Sequence, residues 1–124
     1  MEKNKVASAV LVVENGKILA VSRKEDPDSW GFPGGKSEDN ESPISTAARE
    51  FLEEVGVPVF NLRKIHEGNH FDFYVTLYSG EIGSYIKTHI NADGCTVDWV
   101  DPSALKKGAF AKYNSDILDL LELK

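Results

Sequence analysis

The 124-residue chain has a single cysteine, Cys95. That excludes an intrachain disulfide and any zinc site built on several thiolates, and a reducing, cytoplasmic setting is the expectation. Long apolar runs are also missing. The longest, Ala9 to Val13, is far short of the roughly 20 residues a membrane helix needs, so no membrane association is expected. Lys3 and Lys5 precede this run in the manner of a secretion signal. It ends at Glu14-Asn15-Gly16-Lys17 without a small-x-small cleavage pattern, which rules that reading out. Basic residues are scarce as well: 14 Lys+Arg against 20 Asp+Glu leave a net charge of −6. Binders of DNA or RNA usually carry a basic face, so no polymeric nucleic acid is expected as a partner. Small phosphorylated ligands are not excluded, because bound metal ions reverse the local sign. No internal repeat, low-complexity tract or linker interrupts the chain. With 41% hydrophobic and 27% charged residues, it reads as one globular domain over residues 1–124.

The elements can be placed from pattern. Val6–Val13 reads as a buried strand, Asn15-Gly16 as a tight hairpin turn, and Lys17–Ser22 as the returning partner strand. Arg23–Gly31 is polar and carries Pro27, which suggests a surface loop. One helix is well marked. Ser42 suits the N-cap, Pro43 the first helical position and Gly56 the left-handed C-terminal cap. Between them Ile44, Ala47, Ala48, Phe51, Leu52 and Val55 recur at helical spacing and predict the buried stripe. Strands are expected at about Val59–Ile65 and Phe71–Ser79. The second alternates Phe71, Phe73, Val75 and Leu77 with Asp72, Tyr74, Thr76 and Tyr78, predicting one core face and one solvent or cleft face. Gly80–Asp93 reads as a loop with at most a short strand, and Thr96–Val100 as a strand. Asp101-Pro102 opens a helical turn, and Ile117, Leu118, Leu120 and Leu121 mark a C-terminal helix. Without regular βα alternation, a mixed sheet between helices fits best.

Chemistry concentrates on the marked helix. Glu50, Glu53 and Glu54 stand at i, i+3 and i+4 and so share a face. Three stacked carboxylates repel one another. Hard divalent cations such as Mg²⁺ or Mn²⁺, which prefer oxygen ligands, would relieve that repulsion. Arg49 has no apolar role there and can hold a carboxylate through a bidentate pair. The bland alternative is a solvated acidic helix face. His66, His70 and His89 form no helical pair and read as surface or core residues, and Cys95 has no evident basic partner.

The full spacing runs from Gly35 through Glu41 to Arg49-Glu50-Phe51-Leu52-Glu53-Glu54-Val55-Gly56-Val57. It resembles the Nudix box, G-x5-E-x7-R-E-U-x-E-E-x-G-U with U a bulky apolar residue, at every defined position. The resemblance implies an α/β fold, an α/β/α sandwich with a mixed central sheet in which the box forms a loop–helix–loop. It also implies hydrolysis of a nucleoside diphosphate linked to another group, with Mg²⁺ or Mn²⁺ as cofactor. Carried over by position, Glu50 and Glu54 are expected metal ligands, and Glu53 a further ligand or the base that deprotonates water. The Gly34 carbonyl is expected to complete the metal shell, Glu41 to ligate a second ion or support the site, and Arg49 to orient the glutamates.

Phe32-Pro33-Gly34-Gly35-Lys36 resembles the segment ahead of the box in MutT-like nucleoside triphosphatases. That implies substrate contacts at Arg23, Phe32, Lys36 and Asn114, the last in the place of the family's purine-reading asparagine. Asp93-x4-Asp98-Trp99 resembles the group's loop carboxylate, usually Glu, that acts as ligand or general base. The residues themselves leave plainer roles open: a surface charge at Arg23, core packing at Phe32, an N-cap at Asn114 and a loop aspartate at Asp93. The expected activity is cleavage of a nucleoside or deoxynucleoside triphosphate, including oxidised purine forms of the 8-oxo-dGTP type, to monophosphate and pyrophosphate. Rival substrates are ADP-ribose, nucleotide sugars and dinucleoside polyphosphates. A rival of another class is a non-catalytic nucleotide-binding or regulatory module, although such modules commonly carry broken boxes. Monomer and homodimer are both compatible with the sequence.

Overall fold

The computed structural model describes residues 5–122. In chain order they form β1 (Lys5–Leu11), β2 (Val13–Glu14), β3 (Lys17–Ser22), β4 (Trp30–Gly31), β5 (Gly34–Lys36), α1 (Pro43–Val55), β6 (Val59–His70), β7 (Phe73–Ile82), β8 (His89–Ile90), β9 (Thr96–Val100), a 3-10 turn (Pro102–Lys106) and α2 (Ala111–Leu120). No helix among them is long and apolar enough to cross a membrane. They group into two compact units. The first takes the chain up to Val12 together with Pro33–Tyr85, and the second takes Val13–Phe32 together with the chain from Ile86 onward.

The first unit is a four-stranded mixed sheet in the order β5-β1-β7-β6. Strand β1 runs parallel to β7 and antiparallel to β5, so both its hydrogen-bonding edges are filled. Helix α1 begins and ends where the sequence predicts. The Ser42 side chain accepts from Ser45 N, Pro43 opens the first turn, and Gly56 closes it at φ 93°, a conformation that costs glycine nothing. The buried stripe is Thr46, Ala47, Phe51 and Val55. Ile44 and Leu52, expected inside, are 45% and 49% exposed, and Ala48 is exposed too. One helix face lies on the sheet, and Ala48 and Leu52 fall about 60° and 100° round the helix from Phe51, off that face.

Two further expectations fail in this unit. Val6–Val13 is not one strand paired with Lys17–Ser22. It breaks at Val12, and only Val13 and Glu14 pair with β3, because β5 and β7 already occupy both edges of β1. The alternation of β7 fails as well: Thr76, Leu77 and Tyr78 are consecutive buried residues, as in a strand covered on both faces. Phe71 lies in the β6–β7 turn at φ 52°, 86% exposed, and not in the strand.

The second unit holds an antiparallel sheet in the order β2-β3-β9-β8, with β4 added on β3. Asn15 and Gly16 turn at φ 52° and 77°, the positive pair that a two-residue hairpin requires. Ile18, Leu19, Ala20, Val97, Leu105, Ile117 and Leu118 form its core, while Leu120 is exposed. The α/β class with a mixed sheet expected from sequence is present, the strands being divided between one mixed and one antiparallel sheet. The expected loop at Arg23–Gly31 contains a short strand and a buried anchor. Ser29 donates to Asp26 Oδ2 at 2.6 Å and accepts from Ala109 N at 3.1 Å.

Candidate active site

Helix α1 carries the acidic cluster, and Arg49 organises it. Its Nε and Nη2 grip the two oxygens of Glu41 at 2.7 and 2.9 Å, a bidentate fork. Nη1 reaches Glu50 Oε1 at 2.9 Å and both oxygens of Glu53 at 3.3 Å, and Nη2 also donates to the Lys36 carbonyl at 3.1 Å. A fourth carboxylate, Glu38, lies 3.7 Å from Nη1.

Each glutamate has a different environment. Glu41 also accepts from Thr46 Oγ1 at 2.8 Å and from Glu38 N at 3.0 Å. The guanidinium and these donors hold its carboxyl down at about 2. Glu50 is pushed up by burial, which outweighs the attraction of Arg49. Of the three carboxylates hydrogen-bonded to Arg49, Glu53 is the most exposed. Glu54 accepts a 2.6 Å hydrogen bond from Gly34 N.

The loop ahead of the helix is pressed against these carboxylates. A Cβ on Gly35 would fall on Cδ of Glu50 and lie 2.6 and 2.8 Å from its oxygens, and one on Gly34 would fall on the Ser8 carbonyl. Only glycine allows this approach. Among the described residues no three His, Cys, Asp or Glu side chains converge on a common point for a metal. Glu41, Glu50 and Glu53 are instead arranged around the guanidinium. The donor set still suits a hard cation: carboxylate oxygens from three helical positions, one of them, Glu50, partly desolvated.

Because Glu41 is held below its ordinary value near 4.5, its contribution to stability is complete above that pH and is lost as pH falls towards about 2. The Glu41→Gln variant should therefore show a shallower loss of Tm between pH 4.5 and 2 than the wild type. Thermal unfolding across that range checks it.

Lys36 leaves β5 on the side opposite Gly35 and Ser37, and its Nζ sits 5.5 Å from the Phe73 ring centroid, as does Lys5 Nζ. The other expected substrate residues belong to the second unit. Arg23 is exposed, with its guanidinium 5.7 Å from the Phe110 ring centroid. Phe32 is half-buried and meets Tyr113 edge-on at 6.4 Å. Asp93 is exposed in the β8–β9 turn, where Asn91 Oδ1 accepts from the amides of Asp93 and Cys95 at 3.0 Å. Asn114 is neither before α2 nor its N-cap. It lies inside the helix, 1% exposed, and its amide group donates to the carbonyls of Trp30 at 2.9 Å and Leu105 at 3.0 Å. Asn114→Ala would strand two carbonyls, so a loss of about 2–4 kcal/mol is expected in urea unfolding.

Three participants escaped the sequence reading. Thr46 links Glu41 to Ser37 Oγ at 2.7 Å, and its only sequence signal is a hydroxyl beside the buried Ala47. Ser37 gives no signal of its own. Tyr113 packs on Phe32, and burial pushes its phenol up to about 12.

Known proteins match this chain over nearly its whole length. The NUDIX domain family model matches residues 3–121. An 8-oxo-dGTP diphosphatase of Haemophilus influenzae is 28% identical over 122 residues, covering 94% of this chain and 89% of that protein. Nucleoside diphosphate-linked moiety X motif 6 of Xenopus laevis is 49% identical over 53 residues, covering 42% of this chain but only 24% of its own length. Among solved structures, a MutT NUDIX hydrolase from Burkholderia pseudomallei superposes with a TM-score of 0.76 at 23% identity, covering 95% of this chain and 98% of that one. The chain belongs to the NUDIX domain family and is a MutT-like Nudix hydrolase, an enzyme acting on phosphoric anhydride bonds.

Proposed function

We propose that this enzyme hydrolyses a nucleoside or deoxynucleoside triphosphate, with oxidised purine forms included, to the monophosphate and pyrophosphate. The carrying observation is the arrangement of Glu50, Glu53 and Glu54 on one helix, with Arg49 bonded to Glu50 and Glu53, the Gly34 amide bonded to Glu54, and Gly35 pressed against Glu50. The Haemophilus relative, named for 8-oxo-dGTP, supports the substrate class. The family match spans both units, which supports a single working domain.

Glu50, Glu53 and Glu54 would hold Mg²⁺ or Mn²⁺, with the Gly34 carbonyl as a further oxygen donor. When bound, such ions neutralise phosphate oxygens and lower the pKa of water. Glu53, exposed and bonded to Arg49 only at 3.3 Å, is proposed to take the proton from attacking water. Glu41, with both oxygens committed to Arg49, fits the supporting role better than that of a second-ion ligand. Arg49 keeps the carboxylates from splaying apart before a cation binds. Arg23, Phe32 and Lys36 are proposed to bind substrate, and Asp93 to lend a carboxylate. Asn114, with its amide donors spent on Trp30 and Leu105, shapes the fold around that region.

The test is initial rates on a panel of canonical and 8-oxo triphosphates, ADP-ribose, nucleotide sugars and dinucleoside polyphosphates, with the products resolved. The highest kcat/KM is expected on a triphosphate, releasing pyrophosphate. Preference for ADP-ribose or a dinucleoside polyphosphate would overturn the substrate assignment. No cleavage of any member would leave a binding module.

A further inference from the structure

We propose that Ser8 is a positioning residue whose buried hydroxyl is held in reserve for the carboxylate of Glu50. This rests on the reading of Glu50 as a metal ligand. Ser8 is 1% exposed, and its Oγ has no hydrogen-bond partner among the described residues. A buried hydroxyl without a partner is costly and rare, so its retention asks for a second state in which it is used.

The register says what that state involves. Ser8 stands directly opposite Gly35 in the β1–β5 pair, and opposed residues point to the same sheet face with Cβ positions about 4.5–5.5 Å apart. The space a Gly35 side chain would fill is taken by the Glu50 carboxylate. The same face carries Ser37, bonded to Thr46 of α1, so it is the face beneath the helix. Ser8 and the Glu50 carboxylate are therefore neighbours in one buried layer. In the state described, Glu50 Oε1 is drawn to Arg49, and the hydroxyl is left idle. Once a cation takes over from the guanidinium, Glu50 loses that donor and Ser8 can supply another. Donors behind a ligand orient it and raise its affinity for metal.

The test is Mn²⁺ titration of nucleotide-free protein by calorimetry, with Tm of the metal-free protein measured alongside. Ser8→Ala is expected to weaken Mn²⁺ binding about tenfold while leaving the metal-free Tm unchanged or higher. Ser8→Cys, with a similar shape and a weaker donor, should fall between. In a Glu50→Gln background, Ser8→Ala should have no further effect. Mn²⁺ affinity of Ser8→Ala within twofold of wild type, with Glu50→Gln strongly weakened, would overturn the role of Ser8 alone. An equal loss from Ser8→Ala in both backgrounds would do the same. Glu50→Gln binding Mn²⁺ as well as wild type would overturn the metal-ligand reading and this inference with it.

Discussion

Glu53→Gln and Glu54→Gln should each lower kcat by at least about a thousandfold, equivalent to some 4 kcal/mol of lost transition-state stabilisation, with the fold intact. The substitution removes charge and keeps shape. Glutamine keeps the length and one oxygen acceptor, so at position 54 it can still receive the Gly34 amide that Glu54 now binds at 2.6 Å. It cannot neutralise a cation, and at position 53 it cannot accept a proton. Position 53 is also exposed and held by Arg49 only at 3.3 Å, so its replacement disturbs no packing. Steady-state kinetics with circular dichroism on the same preparations measures both quantities. A loss below tenfold at either position would remove that residue from the chemistry.

The adjacent glycines give the second large effect, and they should behave oppositely. A Cβ on Gly34 would meet the Ser8 carbonyl and lie 2.7 Å from Ala9 Cα. Both are backbone of β1, which β5 and β7 fix on either side, so nothing can yield cheaply. Gly34→Ala is expected to cost about 3 kcal/mol or more, seen as a large drop in the urea midpoint. A Cβ on Gly35 would meet only the end of the Glu50 side chain, which can swing aside. Gly35→Ala should fold within about 1 kcal/mol of wild type and yet lose at least about a hundredfold in kcat, because the carboxylate it displaces is a proposed ligand. Wild-type turnover in Gly35→Ala would show that the resting position of Glu50 is irrelevant to catalysis.

These contrasts mark what the sequence could disclose. The limits of α1 were legible because Ser42, Pro43 and Gly56 act locally, each through its own backbone or side chain. The acidic face was legible because helical spacing fixes which residues are neighbours. The break at Val12 was not, because nothing punctuates the apolar run from Val10 to Val13. What divides it is the pairing of β1 with β7, more than sixty residues away. Asn114 was misplaced for a similar reason: its partners, the carbonyls of Trp30 and Leu105, are chosen by tertiary packing. The sharing of one guanidinium among Glu41, Glu50 and Glu53 depends on rotamers, which spacing does not specify. Ile44 and Leu52 show the limit of periodicity, since helical spacing defines stripes but not which of two adjacent stripes meets the sheet.

The carboxylates of α1 are proposed to work through a divalent cation on a phosphoric anhydride. Protein stripped with a chelator, assayed on an 8-oxo or canonical nucleoside triphosphate while Mg²⁺ or Mn²⁺ is titrated back, tests this directly. No turnover is expected at first, then saturable recovery with monophosphate and pyrophosphate formed in equal amounts, and no recovery in Glu54→Gln. Turnover that persists in excess chelator, or release of orthophosphate from the intact triphosphate, would contradict it.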